Sequence, residues 1–237
     1  MAGQCYAIIL AAGSGSRINN LSCKPKQFQM VLGRSILEHT IDKFEQSNYV
    51  DQIIIVARPE YMNYTVEIIK SNRFIKVSNI VQGGRTRRES SLNAIKMIKE
   101  NDALVLVHDA VRPFVTEKLI ERCVTALNDH ETVYPAVPSE DTVVESDGHE
   151  IVRNIPLRSR IFRGQTPQGF RKYILEKAHS RALEDPEVDD MVTNECGLVW
   201  KYNLAEVHLI EGERYNFKIT YDEDLFFAES YLKSVKE

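Results

Sequence analysis

Three apolar runs in this chain are continuous rather than alternating: residues 6–10, 53–56 and 103–107. A strand that alternates apolar with polar residues keeps one face wet, whereas one without alternation is covered on both faces. Between the runs lie helical stripes. Ile36, Leu37, Ile41 and Phe44 form one, Leu92, Ile95 and Ile98 a second, and Leu119, Ile120, Cys123, Val124 and Leu127 a third. Strands covered on both faces and alternating with helices predict an α/β fold, a mostly parallel sheet between two helical layers. In such a sheet ligands gather at the carboxyl ends of the strands. Leu10, Val81 and Val107 are three such ends, and a candidate motif follows each.

The chain has 237 residues, 43% hydrophobic and 27% charged. No linker or repeat divides it, so a single domain over 1–237 is expected. No apolar run approaches the roughly 20 residues of a membrane span, and no secretory signal is visible. A net charge of −4 without a basic run argues against nucleic acid as a partner. Cys5, Cys23, Cys123 and Cys196 fit neither zinc spacing nor a disulfide framework, which predicts free thiols and a cytoplasmic location. The six scattered histidines predict no metal site built by the protein.

The first motif runs through Ala11, Ala12, Gly13, Gly15 and Arg17, with Pro25, Lys26, Gln27 and Phe28 after it. Small residues let the backbone approach a ligand closely, and Arg and Lys supply the charge a polyphosphate needs. A Walker loop is excluded because Lys26 lies far beyond the glycines with no Ser or Thr behind it. A dinucleotide fingerprint is excluded because Ile18 occupies the place of its third glycine.

The second motif is Gly83-Gly84-Arg85-Thr86-Arg87, with Ser90 a helical turn further on. It reads either as a plain strand-to-helix turn or as a ligand-facing turn offering backbone N–H groups. Basic residues at a helix start oppose the dipole, which favours the ligand-facing reading. The third motif is His108-Asp109-Ala110-Val111-Arg112-Pro113. Asp109 can hydrogen-bond a substrate hydroxyl, sit near a phosphate-bound Mg²⁺, or with Arg112 satisfy the backbone of the turn. His108 reads as a structural, hydrogen-bonded histidine.

From about 140 to 164 the alternation breaks. Val143, Val144, Glu145 and Ile151, Val152, Arg153 flank Asp147-Gly148, which predicts a protruding β-hairpin arm. An isolated hairpin is marginal in water, so it either packs on another surface, a second subunit included, or lies out as a flap. Beyond it, residues 207–210 read as a strand, and Thr220 through Glu223 match a capping box opening a last helix that ends near Leu232.

Together these motifs resemble the cytidylyltransferase family that includes the enzymes of 2-C-methyl-D-erythritol 4-phosphate and ribitol 5-phosphate. Asp141-Thr142, Gln165-Thr166-Pro167-Gln168 and Phe217-Lys218-Ile219-Thr220 complete the family order. The resemblance implies a Rossmann-like, three-layer nucleotidyltransferase fold. It implies transfer of CMP from CTP to a sugar-alcohol phosphate, with Mg²⁺ bridging the nucleotide phosphates. It implies that Arg17, Lys26 and Lys218 stabilise the transition state, and that Ala11, Ala12, Gly13, Gly15, Gly84, Arg87, Ser90 and Ala110 hold the nucleotide. Asp109, Arg112, Thr142, Arg158, Thr166 and Thr193 would hold the acceptor. The arm would make a homodimer in which Thr142 and Arg158 complete the neighbouring site. Val111 and Gly164 depart from the erythritol pattern. Asp141 through Ser146, Ile155-Pro156 with Arg158, Gly164 through Gln168, and Cys196 three residues past Thr193 are closer to the ribitol branch, while the opening Ala-Ala-Gly is closer to the erythritol branch. Ribitol 5-phosphate is the expected acceptor, methylerythritol phosphate or another pentitol phosphate the alternative. Asn194 stands where the family commonly has Asp. A catalytically idle nucleotide-binding subunit is the alternative from another class.

Overall fold

The structure, a computed structural model, describes residues 3–13 and 24–234, so Gly15, Arg17 and Cys23 lie outside the described residues. β1 (Cys5–Ala11) leads to the short strands β2 (Met30–Val31) and β3 (Arg34–Ser35), then α1 (Ile36–Glu45), β4 (Gln52–Ala57), α2 (Met62–Asn72), β5 (Val77–Gln82), α3 (Arg87–Ile95), β6 (Leu104–Asp109), α4 (Glu117–Ala126) and β7 (Thr132–Pro138). Next come β8 (Glu145–Ser146), β9 (Val152–Asn154), β10 (Phe162–Gly164), β11 (Gln168–Arg171), α5 (Lys172–Leu183), α6 (Val188–Met191), α7 (Glu195–Lys201), β12 (His208–Glu211) and α8 (Asp222–Ser234).

The apolar runs become the middle of one sheet, ordered β10-β7-β11-β6-β1-β4-β5, with β12 also paired to β7. β1 is parallel to both β4 and β6, and β4 to β5. β11 enters antiparallel between β6 and β7, so the sheet is mostly but not wholly parallel. The absence of alternation in β1 has the expected cause. Ala7 and Ile9 point into one core, with Leu37, Ile41 and Phe44 of α1 and Leu119, Ile120 and Cys123 of α4. Tyr6 and Ile8 point into the opposite core, with Ile95 of α3 and Ile174, Leu175 and Ala178 of α5. Burial on both faces, at about 25 cal/mol per Å² of apolar area, is what holds these strands in the middle of the sheet.

Two local expectations are corrected. The arm is shorter than 140–164, because Phe162–Gly164 returns to the main sheet against Ala136–Pro138 of β7. The start of α8 is not held by a Thr220–Glu223 box. The Asp224 carboxylate accepts from the Thr220 and Tyr221 N–H groups at 2.7 and 2.9 Å, and the Thr220 hydroxyl donates to the Lys218 carbonyl at 3.1 Å. The hairpin turn is as expected: β8 pairs antiparallel with β9, and Gly148 takes φ +87°, the left-handed region that favours glycine.

Candidate active site

The carboxyl ends of β1, β4, β5 and β6 border a cleft of about 850 Å³, within the range of small-ligand sites. Ala12, Gly13, Lys26, Gly84, Arg87, Ser90, Asp109, Ala110 and Lys218 line it, drawn from all three sequence motifs and from the segment before α8. Buried Gln27 secures the first wall. Its Nε2 donates to the carbonyls of Ala11 at 2.6 Å and Gly13 at 3.2 Å, which pins the chain as it leaves β1 and sets Lys26 beside it.

The second wall differs from the expectation. The turn after β5 has spent its N–H groups internally: Gly83 on the Ala57 carbonyl at 2.8 Å, Gly84 on Ser90 Oγ at 3.0 Å, Arg85 on Glu89 Oε2 at 2.8 Å. It does not offer these amides to a ligand. Ser90 in turn donates to the Thr86 carbonyl at 2.9 Å, so its hydroxyl holds the turn closed. Glycine is required by close approach, since a Cβ at Gly83 would lie 2.4 Å from that of Ala12.

Asp109 forms the floor. Its Oδ1 takes Arg87 Nη1 at 2.6 Å, and its Oδ2 takes Lys218 Nζ at 3.0 Å and Arg112 Nε at 3.4 Å. Burial works to raise this carboxyl, but the charges of Arg87, Lys218 and Arg112 outweigh burial and hold it well below the usual carboxylate range. Arg87 reaches further, to Glu195 Oε2 at 3.0 Å. Burial opposes its charge, and Glu195 and Asp109 together more than restore it, raising its affinity for the proton above the ordinary value.

His108 acts behind Asp109. The Arg112 carbonyl, 3.0 Å from Nε2, can only accept, so Nε2 carries the hydrogen. Nδ1 therefore accepts from Thr166 Oγ1 at 3.0 Å, and that oxygen accepts from the Asp109 N–H at 3.1 Å. Burial pushes His108 down to about 3, which keeps it neutral. It is structural, as the sequence predicts. Thr166, 4% exposed, has its hydroxyl hydrogen committed to His108. Arg112 also donates to the Asn216 carbonyl at 2.8 Å, so it sits behind Asp109 rather than on the cleft lining.

The remaining candidates are placed elsewhere. Ala11 is buried one step back in β1. Thr193 is exposed just before α7 and borders a narrow crevice with Arg87 and Glu195. Thr142 and Arg158 are exposed on the arm and are not part of the cleft lining of their own chain. Asn194 caps α7: its Oδ1 accepts from the Gly197 N–H at 2.9 Å while its Nδ2 donates to the Tyr134 hydroxyl at 3.3 Å. Gly164 belongs to the same corner, because a Cβ there would fall 2.0 Å from that hydroxyl.

Sequence reasoning missed Glu195, Arg58 and Glu60. Arg58 follows the carboxyl end of β4, the same signal that marked the other motifs. It lines the cleft and pairs with Glu60 at 2.7 Å. Glu195 carried no signal, since its partner lies 108 residues away. Among the described residues no group of three or more His, Cys, Asp or Glu is arranged to hold a metal ion. No helix of the described residues is long and apolar enough to cross a membrane.

The family described as "IspD: 2-C-methyl-D-erythritol 4-phosphate cytidylyltransferase" matches residues 5–234. A 2-C-methyl-D-erythritol 4-phosphate cytidylyltransferase of Thermobifida fusca is 38% identical over 235 residues, 96% of this chain and 93% of that protein. A ribitol-5-phosphate cytidylyltransferase of Lactiplantibacillus plantarum is 34% identical over 235 residues, 96% and 98% of the two chains. The crystal structure of 4-diphosphocytidyl-2C-methyl-D-erythritol synthase from Anaerococcus prevotii superposes with a TM-score of 0.83 at 32% identity, covering 98% of this chain and 97% of that one.

Proposed function

As a member of the IspD family of cytidylyltransferases, this chain is a CTP-dependent nucleotidyltransferase, and we propose that it moves CMP from CTP onto the phosphate of 2-C-methyl-D-erythritol 4-phosphate, releasing pyrophosphate. The observation that carries the chemistry is the cleft itself, with Lys26 on one wall and Lys218 over a carboxylate floor on another. The names of the relatives support this acceptor. Proteins of Thermobifida fusca, Syntrophus aciditrophicus and Clostridium acetobutylicum bearing the methylerythritol name are 37–38% identical to this chain, against 34% for the ribitol enzyme. The expectation of ribitol 5-phosphate is therefore the less supported of the two. It stands as the second reading because Gly164 through Gln168 and Cys196 resemble the ribitol branch, Gly164 being fixed here by Tyr134.

The acceptor phosphate is already an anion, so it attacks the α-phosphorus in line without a general base. Neutral His108 is consistent with that, being occupied on both ring nitrogens. The protein's share is positioning and cancellation of charge. Lys26 acts from the first wall and Lys218 from another, and Arg17 joins them by its place in the same sequence motif as Lys26. Asp109 steadies Lys218 and, through Arg87, ties the nucleotide side of the cleft to α7.

Mg²⁺ fits as a companion of the nucleotide. The cleft carboxylates are paired with cations, Asp109 with Arg87 and Lys218, Glu60 with Arg58 and Glu89 with Arg85, so a Mg²⁺ ion would be held by the nucleotide rather than by these side chains and would neutralise phosphate charge. Thr142 and Arg158 serve the acceptor of a neighbouring subunit in a homodimer, in keeping with their exposure on the arm.

The test is pyrophosphate release from CTP and Mg²⁺ with each acceptor in turn. Faster turnover on methylerythritol phosphate is expected. Preference for ribitol 5-phosphate would transfer the assignment to the second reading. Tight CTP binding with turnover on neither would leave a nucleotide-binding subunit.

A further inference from the structure

Glu195 is 2% exposed, yet no charge in its own neighbourhood of the sequence explains it. A carboxylate so buried requires a partner, and its partner is Arg87 of α3, 3.0 Å away. Arg87 uses its other terminal nitrogen on Asp109 at 2.6 Å. The result is a fixed chain of charges, Glu195–Arg87–Asp109–Lys218, that crosses from the first residue of α7 to the cleft floor. The α7 end is held rigidly. Asn194 is bonded to Tyr134 of β7, and the Cys196 N–H donates to Gln168 Oε1 of β11 at 3.2 Å. Glu195 is therefore an anchored point, whereas Arg87 is a long side chain that lines the cleft and needs one.

We propose that Glu195 is a positioning residue for the transfer reaction: it touches no substrate and sets the guanidinium of Arg87 across Asp109, so that the nucleotide side of the cleft is preorganised by α7. This rests on the reading that CTP occupies the cleft. The two ends of the guanidinium are divided between two carboxylates, a geometry that a planar fork satisfies and a point-charge ammonium does not. Without Glu195 the guanidinium is free to swing about its remaining bond to Asp109. The pocket then bears the entropy of ordering it when the nucleotide binds.

The test is a double-mutant cycle on steady-state kinetics with CTP and the best acceptor of the panel, with CTP affinity measured by calorimetry in parallel. Glu195→Gln keeps the size and removes the charge. It is expected to raise KM for CTP about tenfold with a smaller change in kcat, as for a buried pair that has lost one charge. In an Arg87→Gln background the same change is expected to add little, because its effect passes through Arg87. Glu195→Asp should recover part of the loss. Arg87→Lys, whose ammonium cannot bridge both carboxylates, should reproduce the rise in KM. If Glu195→Gln fails to fold, the milder Glu195→Asp decides the matter by whether its KM for CTP rises while its effect vanishes in the Arg87→Gln background. Additive effects of the two glutamine substitutions, or an unchanged KM for CTP in folded Glu195→Gln or in Arg87→Lys, would overturn the inference. Failure of the unaltered protein to bind CTP would instead remove the functional reading on which it rests.

Discussion

At the floor of the cleft Asp109 is buried and matched by Arg87, Arg112 and Lys218, and behind it Glu195 is buried and matched by Arg87. On the arm the situation is inverted. Val144, Ile151, Ile155 and Leu157 are apolar yet between 52% and 64% exposed. One region has collected buried charges and satisfied them internally, while the other displays oily side chains that this chain does not cover. The difference teaches where each region's stability is completed. A buried charge network is expensive unless every member is paired, so it must be finished within the fold that buries it. Exposed apolar side chains on and beside a two-stranded hairpin gain little from their own chain and are finished by another surface.

The strongest way to break this contrast is Asp109→Asn. It removes the anion shared by Arg87, Lys218 and Arg112 and is expected to cost about 3–5 kcal/mol of stability, read from urea denaturation. A loss below 1 kcal/mol would mean that the cations do not depend on their shared carboxylate. Next in size, Lys26→Ala and Arg17→Ala should each lower kcat by about a hundredfold or more, roughly 3–4 kcal/mol of transition-state stabilisation. Near-normal turnover in both would cancel the roles given to them.

Acid sharpens the contrast further. Burial holds His108 and His179 at about 3 in the folded chain. Their unfolded value is near 6.5, so between pH 6.5 and 3 the unfolded state binds more protons. Stability therefore falls as the pH drops through that window, by about 1.4 kcal/mol per pH unit for each histidine. Asp109 adds to the loss only at the bottom of the range, because its stabilisation is complete above the unfolded carboxylate value and disappears as the pH falls toward its depressed folded one. His179→Gln should flatten the slope of stability against pH, and an unchanged slope would refute the assignment. The smallest effect is expected on the arm. Ile155→Ser with Leu157→Ser should alter the stability of the isolated chain by no more than about 0.5 kcal/mol, while any self-association measured by sedimentation should weaken. A large loss of intrinsic stability would show that the arm is packed on its own chain after all.

The sheet was legible because its physics is local in sequence. Residues 53–56 and 103–107 lack alternation for the same reason that β4 and β6 are covered on both faces. The Asp147-Gly148 turn was legible because one residue must take a positive φ. The cleft lining was legible after β1, β5 and β6, where a motif of small and charged residues follows the strand end, but not after β4, where Arg58 stands without one. What escaped was set by distance along the chain. Nothing near Glu195 points to Arg87, and nothing near Gly164 points to the Tyr134 ring that would collide with any larger residue. The hydrogen-bond bookkeeping of the turn after β5 was equally hidden, because glycines signal close approach without revealing what approaches.

That turn divides the labour of the pocket. Having consumed the amides of Gly83, Gly84 and Arg85, that stretch cannot grip an anion with those three N–H groups. Whatever positive charge the wall offers there comes from side chains, Arg85 and Arg87, facing the lysine-bearing walls across the gap.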